Sequence, residues 1–390
     1  MQHHTPLLSD KDVLQQAKQH LRPYLKLKAD GYRCSTDQLF DLLLGVAANR
    51  DTLESLCAHL QTPVSANTLR GYLNQQLRAA DLPRLERALN HALAAALPLT
   101  LRLHPQEVAV DYHDQPYYGK TEQADGLWVR AAAKSGTTRV YRVATAYVIR
   151  RGLRVTLAIK FVTAKQRHKA IVQFLLNRLK ALQIQAALLY LDRGFATVEV
   201  IRFLRRVGQA AIIACPIRGK QGGVNALCQG RKSYLTEHVF GKVKRGRVKA
   251  RVALCRTFTT AKRSQRHNRQ GQWLVYILLK VEMTPKQVRK RYRRRFGIES
   301  SYRCARQVRG WTTARNAAYR FLLIGLSFFM LNVWIGLRWE WASKRRRGRR
   351  ALQEGHLRLR RFARFISQAL ETLYGRVSHI ELLTGAKAYP

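Results

Sequence analysis

The sequence predicts an α/β protein: a mixed-sheet core set between an N-terminal helical region and a basic helical tail. Three observations carry that expectation. Apolar residues recur at helical spacing over residues 10–97, with Pro and Gly mainly at breaks. The texture then changes to short runs rich in Val, Ile, Ala and Tyr, the composition of strands. Strands follow one another first and then alternate with helical stretches, which makes a single mixed sheet.

In the helical region, DTLESLCAHL, the break QTPVS and then ANTLRGYLNQQL read as helix, turn, helix. The second helix carries Asn67, Thr68, Arg70 and Tyr72 near its start, where a recognition helix meets base edges. An ordinary helical hairpin has the same pattern. LPLTLRLHPQ (97–106) reads as a linker. EVAVD (107–111), RVYRVATAYVIR (139–150), LRVTLAIKFV (153–162), AALLYLD (186–192) and QAAIIACPI (209–217) read as strands. HKAIVQFLLNRLKAL (168–182) and TVEVIRFLRRV (197–207) have helical spacing. Residues 218–282 read as a basic, β-rich insertion. Helical texture returns at 284–306, followed by an apolar helix and an Arg-rich tail. The expected divisions are 1–100, 101–217, 218–282, 283–340 and 341–390.

The charge balance narrows the function. The 390 residues hold 71 Lys and Arg against 23 Asp and Glu, a formal net charge of +48. Such a field attracts polyanions, and each Lys or Arg that meets a phosphate releases a counterion. Nucleic acid is therefore the expected partner, with anionic membrane as the alternative. The run FLLIGLSFFMLNVWIGL (Phe321 to Leu337) borders on the length of a span. It holds Ser327 and Asn332 and has basic segments on both sides, so a buried core helix and no membrane association are expected. The six cysteines show no zinc spacing and read as free thiols of a reducing compartment, which fits a cytoplasmic, nucleoid-associated protein. The N-terminus has no basic region followed by an apolar one, so no signal peptide is expected.

In so basic a chain the acids are informative. From residue 126 to 339 there are five: Asp192, Glu199, Glu237, Glu282 and Glu299. Asp192 stands where AALLYL ends, and Asp111 is placed the same way at the end of EVAVD. Ligands of open α/β sheets collect outside the carboxyl ends of strands. Glu299 is the sole acid of KQVRKRYRRRFGIESSYRCAR (286–306), among nine basic residues. It serves either to neutralise neighbouring arginines or to bind metal beside phosphate-gripping guanidiniums. If this stretch is one helix, Tyr292, Arg295, Glu299 and Arg306 share a face. Asp114 rivals Asp111 for the first carboxylate, and Glu199 rivals Asp192 less closely.

Three carboxylates suit hard divalent cations, Mg²⁺ or Mn²⁺. Two such ions, roughly 3.5–4 Å apart, can activate an attacking oxygen and stabilise a leaving one at phosphorus. A non-catalytic nucleic-acid-binding protein is the reading that charge alone supports, but it gives no reason for lone carboxylates at two strand ends.

Three blocks carry a resemblance: DYHDQPYYGK from Asp111, YLDRGF around Asp192, and YRRRFGIESSYRCARQVRGWTTARN from Tyr292. With them the chain, from about Glu107 to Arg320, resembles bacterial and archaeal insertion-sequence transposases of the DDE class. Its branch is the one marked by Tyr-x2-Arg-x3-Glu-x6-Lys. The resemblance implies an RNase H-like core with a β-rich insertion between the second Asp and the Glu. It implies that Asp111, Asp192 and Glu299 form the catalytic, metal-binding triad, with two ions and Asp111 bridging them. It implies that Tyr292 and Arg295 contact transposon-end DNA. Arg306 stands where the pattern has Lys, which keeps the charge but exchanges a point charge for a planar fork. Trp273 is the insertion's aromatic candidate for stacking a flipped base, against the commoner role of a buried strand Trp. The implied activity is cut-and-paste transposition on terminal inverted repeats and target DNA, by a homodimer on DNA. A metal-dependent nuclease without strand transfer is the narrower alternative.

Overall fold

The computed structural model describes residues 6–29, 31, 34–62, 64–120, 126–219, 223–243, 246–259, 270–344 and 351–380. The chain divides into two units, one made of Met1–Ala92 with Cys304–Pro390, the other of Leu93–Arg303.

The first unit opens with helices α1 (Asp10–Leu21), α2 (Thr36–Asn49), α3 (Leu53–His59), α4 (Ala66–Gln76) and α5 (Leu82–Ala95). Their starts are fixed by hydroxyl caps. Ser9 and Ser35 form reciprocal capping boxes with Asp12 and Gln38. The Thr52 and Ser65 side chains accept from the N–H of Ser55 and Thr68, satisfying donors that a helix start leaves open.

The second unit is built on one mixed sheet. Its strands are β1 (Gln106–Pro116), β2 (Val129–Lys134), β3 (Thr137–Val148), β4 (Thr156–Val162), β5 (Ala186–Leu191), β6 (Ala211–Cys215), β7 (Tyr234–Lys242), β8 (Gly246–Thr259) and β9 (Gln270–Leu279). They lie in the order β2-β3-β1-β5-β6-β9-β8-β7, with β4 also on β3. β1 is antiparallel to β3 and parallel to β5, and β5 is parallel to β6. β6 is buried along its whole length, as a strand covered on both faces must be. Helices α6 (His168–Ala181) and α7 (Val198–Arg206) supply apolar stripes of Ile171, Val172, Leu175 and Leu179, and of Val200, Ile201, Phe203 and Leu204. β9 lies antiparallel on β6, with Ala211 opposite Leu279, so β7–β9 continue the same sheet.

The sequence predicts a first strand that ends at Asp111, whereas β1 runs on to Pro116. β3 is the reason. It is twelve residues long and pairs with β1 from Val108↔Val148 to Pro116↔Val140, well past the last β5 partner at Val110↔Leu191.

Beyond the sheet come α8 (Pro285–Tyr292), a 3₁₀ turn at Arg293–Phe296 and α9 (Gly297–Ala305). The expected single helix is thus interrupted. Three residues per 3₁₀ turn instead of 3.6 shift the faces on either side of the turn. Arg295 is buried and Glu299 is exposed, so they do not share a face.

The first unit is completed by α10 (Ala317–Trp341), the short β10 (Ser343–Lys344) and β11 (Ala351–Leu352), and α11 (Leu359–Tyr374). α10 is the unit's core helix: 83% of its most apolar 18-residue window is buried in the protein. Ser327 donates to the Ile324 carbonyl at 2.7 Å, and Gly325 leaves room for Leu89 of α5. α11 meets α2 through Tyr374, whose hydroxyl donates to Asp41 at 2.7 Å, and Ser367, which donates to Asn49 at 2.7 Å. The six cysteines are free, and Cys34, Cys215 and Cys255 are buried.

Candidate active site

β1 and β5 run side by side in the same direction, and their last paired positions are Val110 and Leu191. Asp111 and Asp192 are the next residues on each. Two carboxylates therefore project from the carboxyl end of one parallel pair, where α/β sheets gather ligands.

A single guanidinium joins them. Arg295 donates from Nη1 to Asp111 Oδ2 at 2.9 Å and from Nη2 to Asp192 Oδ1 at 3.0 Å. Arg295 is only 6% exposed. Tyr292, one turn earlier, is also buried; its hydroxyl donates to the Leu191 carbonyl at 3.0 Å, and its ring centre lies 5.6 Å from the Arg295 guanidinium. Burial pushes the Asp111 carboxyl up to about 6, outweighing the Arg295 charge and the Tyr112 N–H that pull it down. Burial would lower the Arg295 pKa, but Tyr292, Asp111 and Asp192 together raise it, so the guanidinium stays charged.

Asp114 has other work. Arg142 holds both of its oxygens at 2.7 Å in a bidentate pair, and the same guanidinium lies 4.7 Å from the Tyr112 ring centre. Tyr112 in turn stacks on Phe195 at 4.5 Å and is hydrogen-bonded through its hydroxyl to His168 Nδ1 at 2.7 Å. Burial and then Arg142 lower the His168 pKa. Glu199 is paired on the surface with Arg167 at 3.2 Å.

The remaining sequence candidates are dispersed. Glu299 lies exposed on α9, and among the described residues no three His, Cys, Asp or Glu side chains come close enough to share a metal. The structure thus brings Asp111, Asp192, Arg295 and Tyr292 together and leaves Glu299 outside that cluster. Arg306 is exposed on a 3₁₀ turn, Arg306–Val308, in the unit that contains Met1–Ala92. Arg70, in that same unit, is exposed on α4 and paired with Glu54 and Asn67. Trp273 is half-buried on β9, with the Arg256 guanidinium 5.2 Å from its ring and Tyr234 edge-on at 6.2 Å.

One residue escaped the sequence reading. Glu107 accepts from Arg291 at 2.7 Å and from the Tyr190 hydroxyl at 2.8 Å, and pairs with Arg294 at 3.4 Å. Its signal was present: it is an acid in the same strand run as Asp111, in a chain where acids are scarce.

The Asp111–Asp192 pair fits a hard cation. Two oxygen donors converge on one positive charge, here the Arg295 guanidinium. As arranged, the third carboxylate does not join them.

The fold is similar to that of a solved piggyBac transposase, seen by cryo-EM in a synaptic complex with hairpin DNA. The TM-score is 0.56 at 8% identity, over 93% of this chain and 77% of that one. No curated protein sequence matches the chain. The family described as Transposase DDE domain matches residues 102–333, a stretch that takes in β1, β5, Asp111, Asp192, Tyr292, Arg295 and Glu299. The chain belongs to the DDE transposases.

Proposed function

We propose that the protein is a cut-and-paste DNA transposase of the Tyr-x2-Arg-x3-Glu-x6-Lys branch, acting in the cytoplasm on chromosomal DNA. The observation that carries this reading is the convergence of Asp111 and Asp192, from adjacent parallel strands, on one positive charge. The strand order β4-β3-β1-β5-β6, with β1 antiparallel to β3 and parallel to β5, supports an RNase H-like core.

Asp111 and Asp192 would hold the divalent ion, Mg²⁺ or Mn²⁺, and Glu299 would complete its ligands. Bound there, the ion supplies positive charge at the scissile phosphate. Arg295 and Arg306 carry guanidiniums able to grip the phosphates of the transposon end, and Tyr292 sets the height of Arg295 through its bond to Leu191. Hydrolysis at the terminal inverted repeat frees a 3′-hydroxyl, which then attacks a phosphodiester of target DNA. Arg70, at the start of α4, reads the repeat once DNA competes for it with Glu54. Trp273 and Arg256 offer a stacking surface for an unpaired base. Two DNA ends must be paired, which calls for a homodimer on DNA.

The test is direct. Asp111→Asn, Asp192→Asn and Glu299→Gln are each expected to abolish Mg²⁺-dependent cleavage of DNA carrying the flanking repeats while DNA retention in a gel shift persists. Undiminished cleavage by any one removes that residue from the triad. Precut ends incubated with a target plasmid separate a transposase, which joins them, from a nuclease, which does not.

A further inference from the structure

Asp111, largely buried, and Asp192, half-buried, share one guanidinium, and two carboxylates placed so would repel each other without a cation between them. Arg295 supplies that cation through its two terminal nitrogens, one to each Asp. Its Nε, equally buried, has no hydrogen-bond partner in the structure. A guanidinium has five N–H donors in a planar fork, so this one is only partly used where it lies. The backbone beneath it is held independently. Arg291 and Arg294 are fastened to Glu107, and Tyr292 to the Leu191 carbonyl. The Arg295 side chain can therefore leave while its 3₁₀ turn stays in place.

A divalent ion seeking Asp111 and Asp192 would need the oxygens that Arg295 already occupies. We infer that Arg295 is an exchangeable counter-cation, which closes the Asp111–Asp192 pair in the free protein and moves to a DNA phosphate when a divalent ion takes the carboxylates. This rests on the phosphoryl-transfer site proposed above. It adds that metal and DNA bind cooperatively: each provides what the other needs, a vacated carboxylate pair or an anion for the released guanidinium. An exposed Glu299 fits a site that is completed only after the exchange.

The experiment titrates Mn²⁺ alone into the full-length wild type, Arg295→Gln and Arg295→Lys, by calorimetry, with thermal melts in parallel. Without its competitor, Arg295→Gln is expected to bind Mn²⁺ at least about tenfold more tightly than wild type. Arg295→Lys, a point charge that cannot fork across both carboxylates, should fall between. Asp192→Asn added to Arg295→Gln should remove the gain. In EDTA, Arg295→Gln should melt below wild type, and Mn²⁺ should raise its melting temperature by the larger amount. Equal or weaker Mn²⁺ binding by folded Arg295→Gln overturns the exchange, as does no binding at all. If Arg295→Gln does not fold, Arg295→Lys decides by the same comparison. Should the variants bind no better while the wild type cleaves DNA with Mg²⁺, only the exchange fails. Should they bind more tightly in a protein that cleaves nothing, only the enzymatic reading fails.

Discussion

Glu107 accepts a hydrogen bond from Arg291 at 2.7 Å, joining two residues 184 positions apart in the chain. The same carboxylate takes the Tyr190 hydroxyl at 2.8 Å. Glu107 precedes Asp111 on β1, Tyr190 of β5 lies two residues before Asp192, and Arg291 and Arg294 immediately precede Tyr292 and Arg295. One carboxylate thus pins the three segments that carry the site. Glu107→Gln keeps a hydrogen-bonding side chain and loses the charge that draws in two arginines. Cleavage at saturating DNA should fall on the order of 10–100-fold, because small displacements of positioned groups are costly. DNA affinity, carried by many other cations, should hold. Single-turnover cleavage and a gel shift read the two separately, and an unaltered cleavage rate would show that the segment is held without Glu107.

Asp111 makes stability depend on pH. Burial raises its pKa from the ordinary 3.8 to about 6. A carboxyl whose folded pKa is raised contributes stability that is full below pH ~4 and lost as pH rises through ~6. The shift corresponds to roughly 3 kcal/mol. Asp111→Asn removes this titration, so its melting temperature in EDTA should gain on wild type steadily from pH 4 to pH 7. Parallel curves would show that Arg295 compensates the buried charge fully.

Asp114 and Asp111 should behave in opposite ways. Asp114→Ala strands Arg142, a half-buried guanidinium that both carboxylate oxygens hold at 2.7 Å. A loss of about 3 kcal/mol in urea unfolding is expected, the low end for a broken buried pair because this one is partly exposed. The residual folded protein should still cleave DNA. Abolished cleavage at full stability would make Asp114, not Asp111, the first carboxylate.

Gly325 tests the core of the helical unit. In an exposed helix, Gly→Ala gains about 1 kcal/mol. Here an added Cβ would lie within 3.0 Å of three Leu89 side-chain atoms. Overpacking costs ~1–3 kcal/mol, so Gly325→Ala should lower stability despite its better helix propensity. A higher melting temperature would mean that Leu89 has room to turn away.

The strands and helices of the sheet-based unit were legible because burial imposes a period of two or 3.6 on the residues. Asp192 was legible for a related reason: a carboxylate that ends a buried apolar run has little choice of place. The extent of β1 was not, since whether a strand continues past Asp111 depends on how far β3 runs beside it. The break at Arg293–Phe296 was hidden as well, because a run of arginines has no apolar stripe whose phase could reveal a 3₁₀ turn. Glu107 is marked as a scarce acid in the strand run of Asp111, but its role is not legible, because its three partners come from residues 190, 291 and 294, which no local pattern connects.

The helical unit is closed by its own two ends. Asn49, at the end of α2, meets Ser367 of α11 across 318 positions of sequence. On a ribosome making about 5–20 residues per second, Ser367 is synthesised roughly 15–60 s after Asn49. α1 and α2, among the first elements made, lack the cover of α11 for that long. The sheet-based unit, Leu93–Arg303, whose sequence lies wholly between, has all its residues before α11 exists. The last helix made thus packs on the first two, and a chain truncated before Leu359 would keep Asp111 and Asp192 and lose that cover of its earliest helices.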